Sequence, residues 1–276
     1  FKLDIKEDFA YLFCGHWING QMGEDRKNVG LLIKAFYETF KNKTKVPALI
    51  LKTTSMGTSY MDRDDILKRI DAIKKTVKAN KLPNVYLLHG EFTDVEMNSI
   101  YNHRKIKAMV SLTKGEGFGR PLLEFSLTNK PIITTNWSGH IDYLSNEFTT
   151  LLQGTMTKIH QSAANKWLLK EADWFSVDNG HVGYYLKDVF ENYKGYAEKG
   201  KRQGYQSRTN FSWDEMKNFL GEVLDKNIPD FPKEVGLKLP KLKKAGGTSE
   251  LPKLKLPKLK KVGEKQELPK LKLPKL

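Results

Sequence analysis

The sequence predicts an α/β fold built on a doubly wound parallel sheet. Two observations carry this. Short apolar runs recur along the first half of the chain, and the segments between them place apolar residues at helical spacing. A strand that is apolar without alternation is buried on both faces, and strand–helix alternation around such strands gives a parallel sheet covered by helices on both sides.

The elements follow in order. "AYLFCGHW" (10–17) reads as a buried strand ending near a glycine. "DRKNVGLLIKAFYETFKN" (25–42) carries Val29, Leu32, Ile33, Phe36 and Phe40 on one helical face. "PALILKT" (47–53) is a second strand. "DRDDILKRIDAIKKTVKAN" (62–80) is a helix with Ile66, Ile70, Ile73 and Val77 inward, acids early and lysines late, as the helix dipole favours. "NVYLLHG" (84–90) is a strand, and "TDVEMNSIYNH" (93–103) a helix with Thr93 and Glu96 spaced as a capping box. "KAMVSLT" (107–113), "PIITTN" (131–136) and "FTTLLQ" (148–153) complete the strands, with a short helix from Gly139. From Thr155 to Leu224 the pattern reads as mostly helical, closing on "FSWDEMKNFLGEVL" (211–224) capped by Ser212. Ligands of such sheets bind at the carboxyl ends of the strands.

Composition bounds the class. Of 276 residues, 39% are hydrophobic and 29% charged, enough apolar surface for a folded core. No apolar run approaches the ~20 residues of a membrane span. The start, "FKLDIKEDFAYLF", is charged where a signal peptide would be apolar. The lone cysteine, Cys14, permits no internal disulfide, which favours a reducing, cytoplasmic setting. Net charge is +15, but fifteen lysines against five acids in residues 226–276 account for +10 of it, so residues 1–225 are nearly balanced. That tail holds seven of the eleven prolines and repeats LPKL five times, from positions 239, 251, 256, 268 and 273. Proline at this density disfavours helix and sheet and leaves extended chain. The chain thus divides into a folded domain, 1–225, and a basic low-complexity tail, 226–276. The tail reads as a solvated extension or as a docking segment for a protein edge or an anionic membrane surface. Its repeats lack the aromatic residues that stack on bases, which disfavours nucleic acid.

The chemistry gathers in "KGEGFGRPLLEFSLTNKPIITTNWSGH" (114–140). Gly115, Gly117 and Gly119 alternate, with Arg120 where a dinucleotide fingerprint needs its third glycine, so that motif is excluded. Glycines let backbone approach a ligand closely. Pro121 suits the first turn of a helix whose N-terminal N–H groups face the strand end. Glu116 and Glu124, eight apart, offer two carboxylates that accept from hydroxyls. By itself this is also what a plain strand–turn–helix connection with incidental acids would show.

The wider segment resembles the carboxyl-terminal domain of retaining GT-B glycosyltransferases of the group 1, or family 4, type. "EGFGRPLLEFSLTNKPIITTNWSGHIDYL" follows that family's EGFG-x-P-x-x-E block, its next strand, and a small-residue turn, Ser138-Gly139, with Asp142 in the acid's place. "FCGHW…DRKNVGLLIKAF", "NVYLLHGEFTDVEMNSIYN" and "FSWDEM" resemble further family segments in the same order, so the likeness runs from Phe9 to Leu224. The resemblance implies one Rossmann-like half of a GT-B fold. It implies an enzyme of the hexosyltransferase type that moves a sugar from a UDP-, GDP- or ADP-sugar to a glycan or other hydroxyl acceptor, with no cofactor and no metal.

It also implies roles. Glu124 would hold the ribose hydroxyls and Glu116 those of the transferred sugar. Backbone around Gly117, Phe118, Gly119 and Arg120 would meet the diphosphate or sugar. Lys27 and Arg26 would neutralise the diphosphate and stabilise the departing nucleotide. Cations at a helix start oppose its dipole, so a ligand anion explains them better than a solvated surface does. After Gly15 the family often has arginine; this chain has His16, so either Arg26 takes over or His16 makes a weaker, pH-sensitive phosphate contact. Gly139, with Ser138 and His140, would lie near the sugar or phosphates, and His89, Gly90, Glu91 and Phe92 would wall the base. His103, His160 and His181 have no metal-ligand spacing. The family's first, acceptor-binding domain is expected upstream or on another chain. The alternative is a GT-B-like domain without activity, used as a binding module with a docking tail.

Overall fold

The computed structural model describes residues 2–18, 22–164 and 168–229. The elements run β1 (Ala10–Cys14), α1 (Val29–Phe40), β2 (Ala48–Lys52), α2 (Tyr60–Thr76), β3 (Val85–Leu88), α3 (Asp94–Asn102), β4 (Ile106–Ser111), α4 (Arg120–Ser126), β5 (Ile132–Thr135), β6 (Thr150–Leu152), β7 (Gly154–Lys158), β8 (Asp173–Val177), α5 (Asn179–Glu191), α6 (Tyr193–Asn210) and α7 (Trp213–Asn227), with a 3-10 turn at Gly139–Asp142.

Six strands form one sheet in the order β3-β2-β1-β4-β5-β6, and every pairing is parallel. The chain moves outward from β1 through β2 to β3, then returns to lay β4 on the other side of β1. That reversal opens a crevice at the carboxyl ends of β1 and β4, the place where such sheets bind ligands.

The apolar runs are continuous because each strand feeds two cores. Tyr11, Phe13, Leu49, Leu51, Ala108 and Val110 face one side, against α1, α2 and α5. Ala10, Leu12, Ala48, Ile50, Ile106 and Met109 face the other, against α3 and α4. In α1, Val29, Leu32, Ile33, Phe36, Tyr37 and Phe40 are buried, which stabilises by roughly 1.5–3 kcal/mol per large apolar side chain. Helix α3 begins on a complete capping box: Thr93 Oγ1 accepts from Glu96 N, and Glu96 accepts from Thr93 N at 2.8 Å.

Two expectations change. The segment after Thr155 is not mostly helical at its start. β7 and β8 form an antiparallel hairpin first, pairing Thr155 with Ser176 and Thr157 with Trp174. Its strands are rich in threonine and aromatic residues, which suit a pleated surface, but β7 is largely exposed and shows no apolar period. Helix α1 also starts later than the spacing suggests. Asn28 is left-handed at φ 54° and the helix begins at Val29, whose N–H donates to the Asp25 carboxylate at 2.8 Å. Arg26 and Lys27 therefore lie in the loop before the helix and not in its first turn.

Contacts group Phe1–Ile228 into one compact unit. Helix α7 closes it, capped by Ser212, and has no buried residue; Trp213, Met216, Phe219, Leu220 and Leu224 are exposed. The LPKL repeats, and the tail expected over 226–276 beyond Pro229, lie outside the described residues. Among the described residues no helix is long and apolar enough to cross a membrane.

Candidate functional site

Two loops at the carboxyl ends of β4 and β5 lock together. Gly139 N donates to Glu116 O at 3.0 Å. Ser138 Oγ accepts from Glu116 N at 3.0 Å and donates to Glu116 O at 2.5 Å. Ser138 takes the left-handed region at φ 80° to do so. A Cβ on Gly139 would stand 2.0 Å from Gly117 O, so the crossing requires glycine. Below, the buried Tyr143 places its hydroxyl 2.9 Å from Phe118 O and 2.7 Å from Gly119 O. Gly119, at φ 80°, turns the chain into α4, with Arg120 and Pro121 in the first turn. Phe118 leans on Tyr143, ring centroids 5.2 Å apart, and stays half exposed.

The structure brings Glu116, Lys27 and Arg26 together. Lys27 Nζ bonds directly to Glu116 Oε1, and both side chains are mostly buried, 14% and 9% exposed. Arg26 Nη1 lies 3.3 Å from the other oxygen and donates to Gly115 O. Lys114 N donates to Arg26 O at 2.8 Å, tying the β1–α1 loop to the end of β4. Gly15 packs on the Lys27 stem: a Cβ there would sit 3.4 Å from Lys27 Cε. Burial pushes the Glu116 carboxyl up, but the Lys27 charge and hydrogen bond, with Arg26, outweigh it and hold the group below the usual range.

Glu124 sits in a cavity of about 480 Å³ with Cys14, Lys52, Phe92, Tyr101 and Arg120. Arg120 Nε is 3.0 Å from Glu124 Oε1, and Tyr101 donates to Oε2 at 3.2 Å. Burial pushes the Cys14 thiol up. A second cavity, about 420 Å³, shares Lys52 and Phe92 and adds His16, Thr54, Gly90 and Glu91. Lys52 Nζ stands 5.3 Å over the Phe92 ring between the two. A larger cavity, about 920 Å³, lies between α1, the β7–β8 hairpin and α5, and none of the candidate side chains lines it.

The side chains of His16, His89 and His140 are engaged by protein. His16 Nδ1 is 3.0 Å from Thr54 Oγ1. His89 Nε2 is 2.8 Å from Asp62 Oδ2. Asp62 also accepts from Ser55 N and Met56 N at 3.0 and 3.1 Å; against the cost of burial, these bonds and His89 hold its carboxyl at about 2. So the His89 side chain anchors the β2–α2 loop, while Gly90, at φ 116°, borders the second cavity. His140 turns inward, fully buried, with Nε2 2.7 Å from Thr135 O. Tyr101, Tyr143 and Asp62 escaped the sequence reading, because nothing local marks a residue whose partner lies 23 to 27 positions away. Among the described residues no group of three or more His, Cys, Asp or Glu could hold a metal ion.

No family model matches the sequence, and no curated protein sequence matches it. Solved structures do match in three dimensions. HepE from Anabaena, in complex with UDP and glucose, aligns at 12% identity over 79% of this chain and 48% of its own, with a TM-score of 0.54. Sucrose-phosphate synthase from Thermosynechococcus elongatus aligns at 15% identity over 81% of this chain and 46% of its own, TM-score 0.54. The C-terminal domain of LpcC, a glycosyl transferase group 1 family protein from Francisella tularensis, aligns at 16% identity over 75% of this chain and 87% of its own, TM-score 0.51. The fold is that of one half of a GT-B glycosyltransferase. The chain spans about half the length of HepE and of the synthase. At the carboxyl ends of β1 and β4 Lys27 and Arg26 meet Glu116, and Glu124 lines the 480 Å³ cavity beside Cys14 and Lys52.

Proposed function

We propose that residues 1–225 form the donor-binding domain of a retaining glycosyltransferase, which holds a nucleotide-diphosphate sugar for transfer to a hydroxyl acceptor. The single observation that carries this is the meeting of Lys27 and Arg26 with Glu116 at the β1/β4 switch point, eight residues before Glu124. Support also comes from the LpcC likeness, in which a C-terminal domain alone aligns over most of its length, and from the UDP and glucose in the HepE complex.

In this reading Lys27 and Arg26 face the diphosphate, and their charge stabilises the departing nucleotide. Glu124, steadied by Arg120 and Tyr101, accepts from the ribose hydroxyls. Glu116 accepts from the hydroxyls of the sugar, whose diphosphate lies against the backbone at Gly117, Phe118 and Gly119. The acceptor attacks on the face from which the nucleotide leaves, and the leaving phosphate takes its proton, so no side-chain nucleophile is assigned. The acceptor surface lies outside residues 2–229, and the domain binds donor weakly and transfers little by itself. Calorimetry with UDP-, GDP- and ADP-sugars tests the reading. Binding should occur with one of them and weaken at least about tenfold in Glu124→Ala and Lys27→Ala, the loss expected when a charged hydrogen-bond partner is removed. Unchanged affinity in both variants would sink the assignment.

A further inference from the structure

We propose that Glu116 is a resident counter-anion that makes this site discriminate against a bare nucleoside diphosphate in favour of one that still carries its sugar. The inference rests on the donor-binding reading above and adds a selectivity to it.

The diphosphate's place beside Lys27 is already answered by a carboxylate of the protein. Lys27 bonds Glu116 Oε1 and Arg26 approaches Oε2 at 3.3 Å. The neighbouring cations are committed elsewhere. Lys114 Nζ donates to Gly23 O at 2.6 Å and lies 4.2 Å over Trp174, Lys52 lies over Phe92, and Arg120 pairs with Glu124. An arriving diphosphate must therefore take Lys27 and Arg26 from Glu116.

Glu116 cannot retreat. Its N–H and its carbonyl are both held by Ser138, and the carbonyl also by Gly139, so only the side chain can turn. In its bonded position the Glu116 side chain is only 9% exposed, so the carboxylate starts largely out of water. Once displaced, it has lost both cations and gained a like charge beside it. A buried charge stripped of its partners is costly. A sugar on the diphosphate offsets that cost, because its hydroxyls donate to the carboxylate at the place the cations vacated. A bare diphosphate offers no such donor. Glu116 thus weakens the free nucleotide more than the sugar nucleotide. Once the sugar has been transferred, Glu116 competes again for Lys27 and helps expel the product, a step that often limits turnover.

The test is calorimetry on the full chain with three pairs: UDP and UDP-glucose, GDP and GDP-mannose, ADP and ADP-glucose. In Glu116→Gln the bare diphosphate should bind at least about tenfold tighter than in wild type, while its sugar nucleotide gains nothing, so the ratio of the two affinities moves toward the free nucleotide. Glu116→Ala should move it in the same direction, which guards against misfolding of either variant. In a Lys27→Met background the gain should vanish. Diphosphate affinity that is unchanged or weaker in both Glu116 variants overturns the inference while leaving donor binding intact. A gain that persists without Lys27 also overturns it, since the effect would then be bulk charge. Failure of every pair to bind wild type and variants overturns this inference and the donor-binding reading together.

Discussion

A Cβ built on Gly139 would stand 2.0 Å from the carbonyl oxygen of Gly117, whereas one built on Gly117 would meet nothing within 4 Å. The two glycines thus serve different ends. Gly139 lets one loop cross under another, and Gly117 keeps a space open above. Gly139→Ala should force the crossing apart, lowering stability by about 1–3 kcal/mol and weakening donor binding. Gly117→Ala should leave the melting temperature near wild type and still weaken binding, because its methyl enters the space reserved for ligand. Melting curves paired with calorimetry check both. Equal loss of stability in the two variants would contradict the distinction.

Tyr101 is expected to act through Glu124. Its hydroxyl holds one carboxylate oxygen at 3.2 Å, and Arg120 holds the other. Tyr101→Phe removes one hydrogen bond, worth about 0.5–1.5 kcal/mol. Affinity for a nucleoside diphosphate should fall by a few-fold, while affinity for inorganic pyrophosphate, which has no ribose, should not change. A parallel fall in both would mean that the tyrosine only shapes the cavity.

Asp25 gives the fold a pH dependence of known sign. It is almost fully buried; one oxygen accepts from Val29 N, and the other has no partner among the described residues. Burial raises its carboxyl to about 6, against opposing pulls from the Val29 hydrogen bond and from Lys114 and Arg69. A raised carboxyl favours the folded state when protonated. That stabilisation is complete below the ordinary carboxylate value and is lost as pH rises through about 6. Asp25→Asn keeps an acceptor for Val29 and removes the charge. It should be more stable than wild type at pH ~8 by on the order of 1–3 kcal/mol, with the gap closing toward pH ~4. Thermal melts at the two pH values measure it, and a gap independent of pH would show that the charge is not the cause.

The sheet was legible in the sequence because its strands are apolar on both faces. Leu12 packs one way and Phe13 the other, so no alternation interrupts the run. The β7–β8 hairpin was not legible: Met156 and Thr157 face solvent, and what holds the pair is a cross-strand register invisible to a local pattern. The same divide runs through the site. Glu116 and Glu124 could be named because one loop and helix carry both, eight positions apart, and Lys27 because its neighbours matched a family segment. The contacts around them could not, even where the sequence names a residue such as Ser138 or His89. Tyr101 reaches Glu124, His89 reaches Asp62 and Ser138 reaches Glu116 only once the sheet has set its loops side by side.

Helix α7 spans fifteen residues and buries none of them. It packs on α6, from which a short turn capped at Ser212 leads into it. Such a helix can unravel without breaking the sheet. Its backbone amides should exchange with deuterated solvent far sooner than those of β1, β2 and β4, and within the described unit they will be the first to slow when anything covers Trp213, Met216 and Leu220.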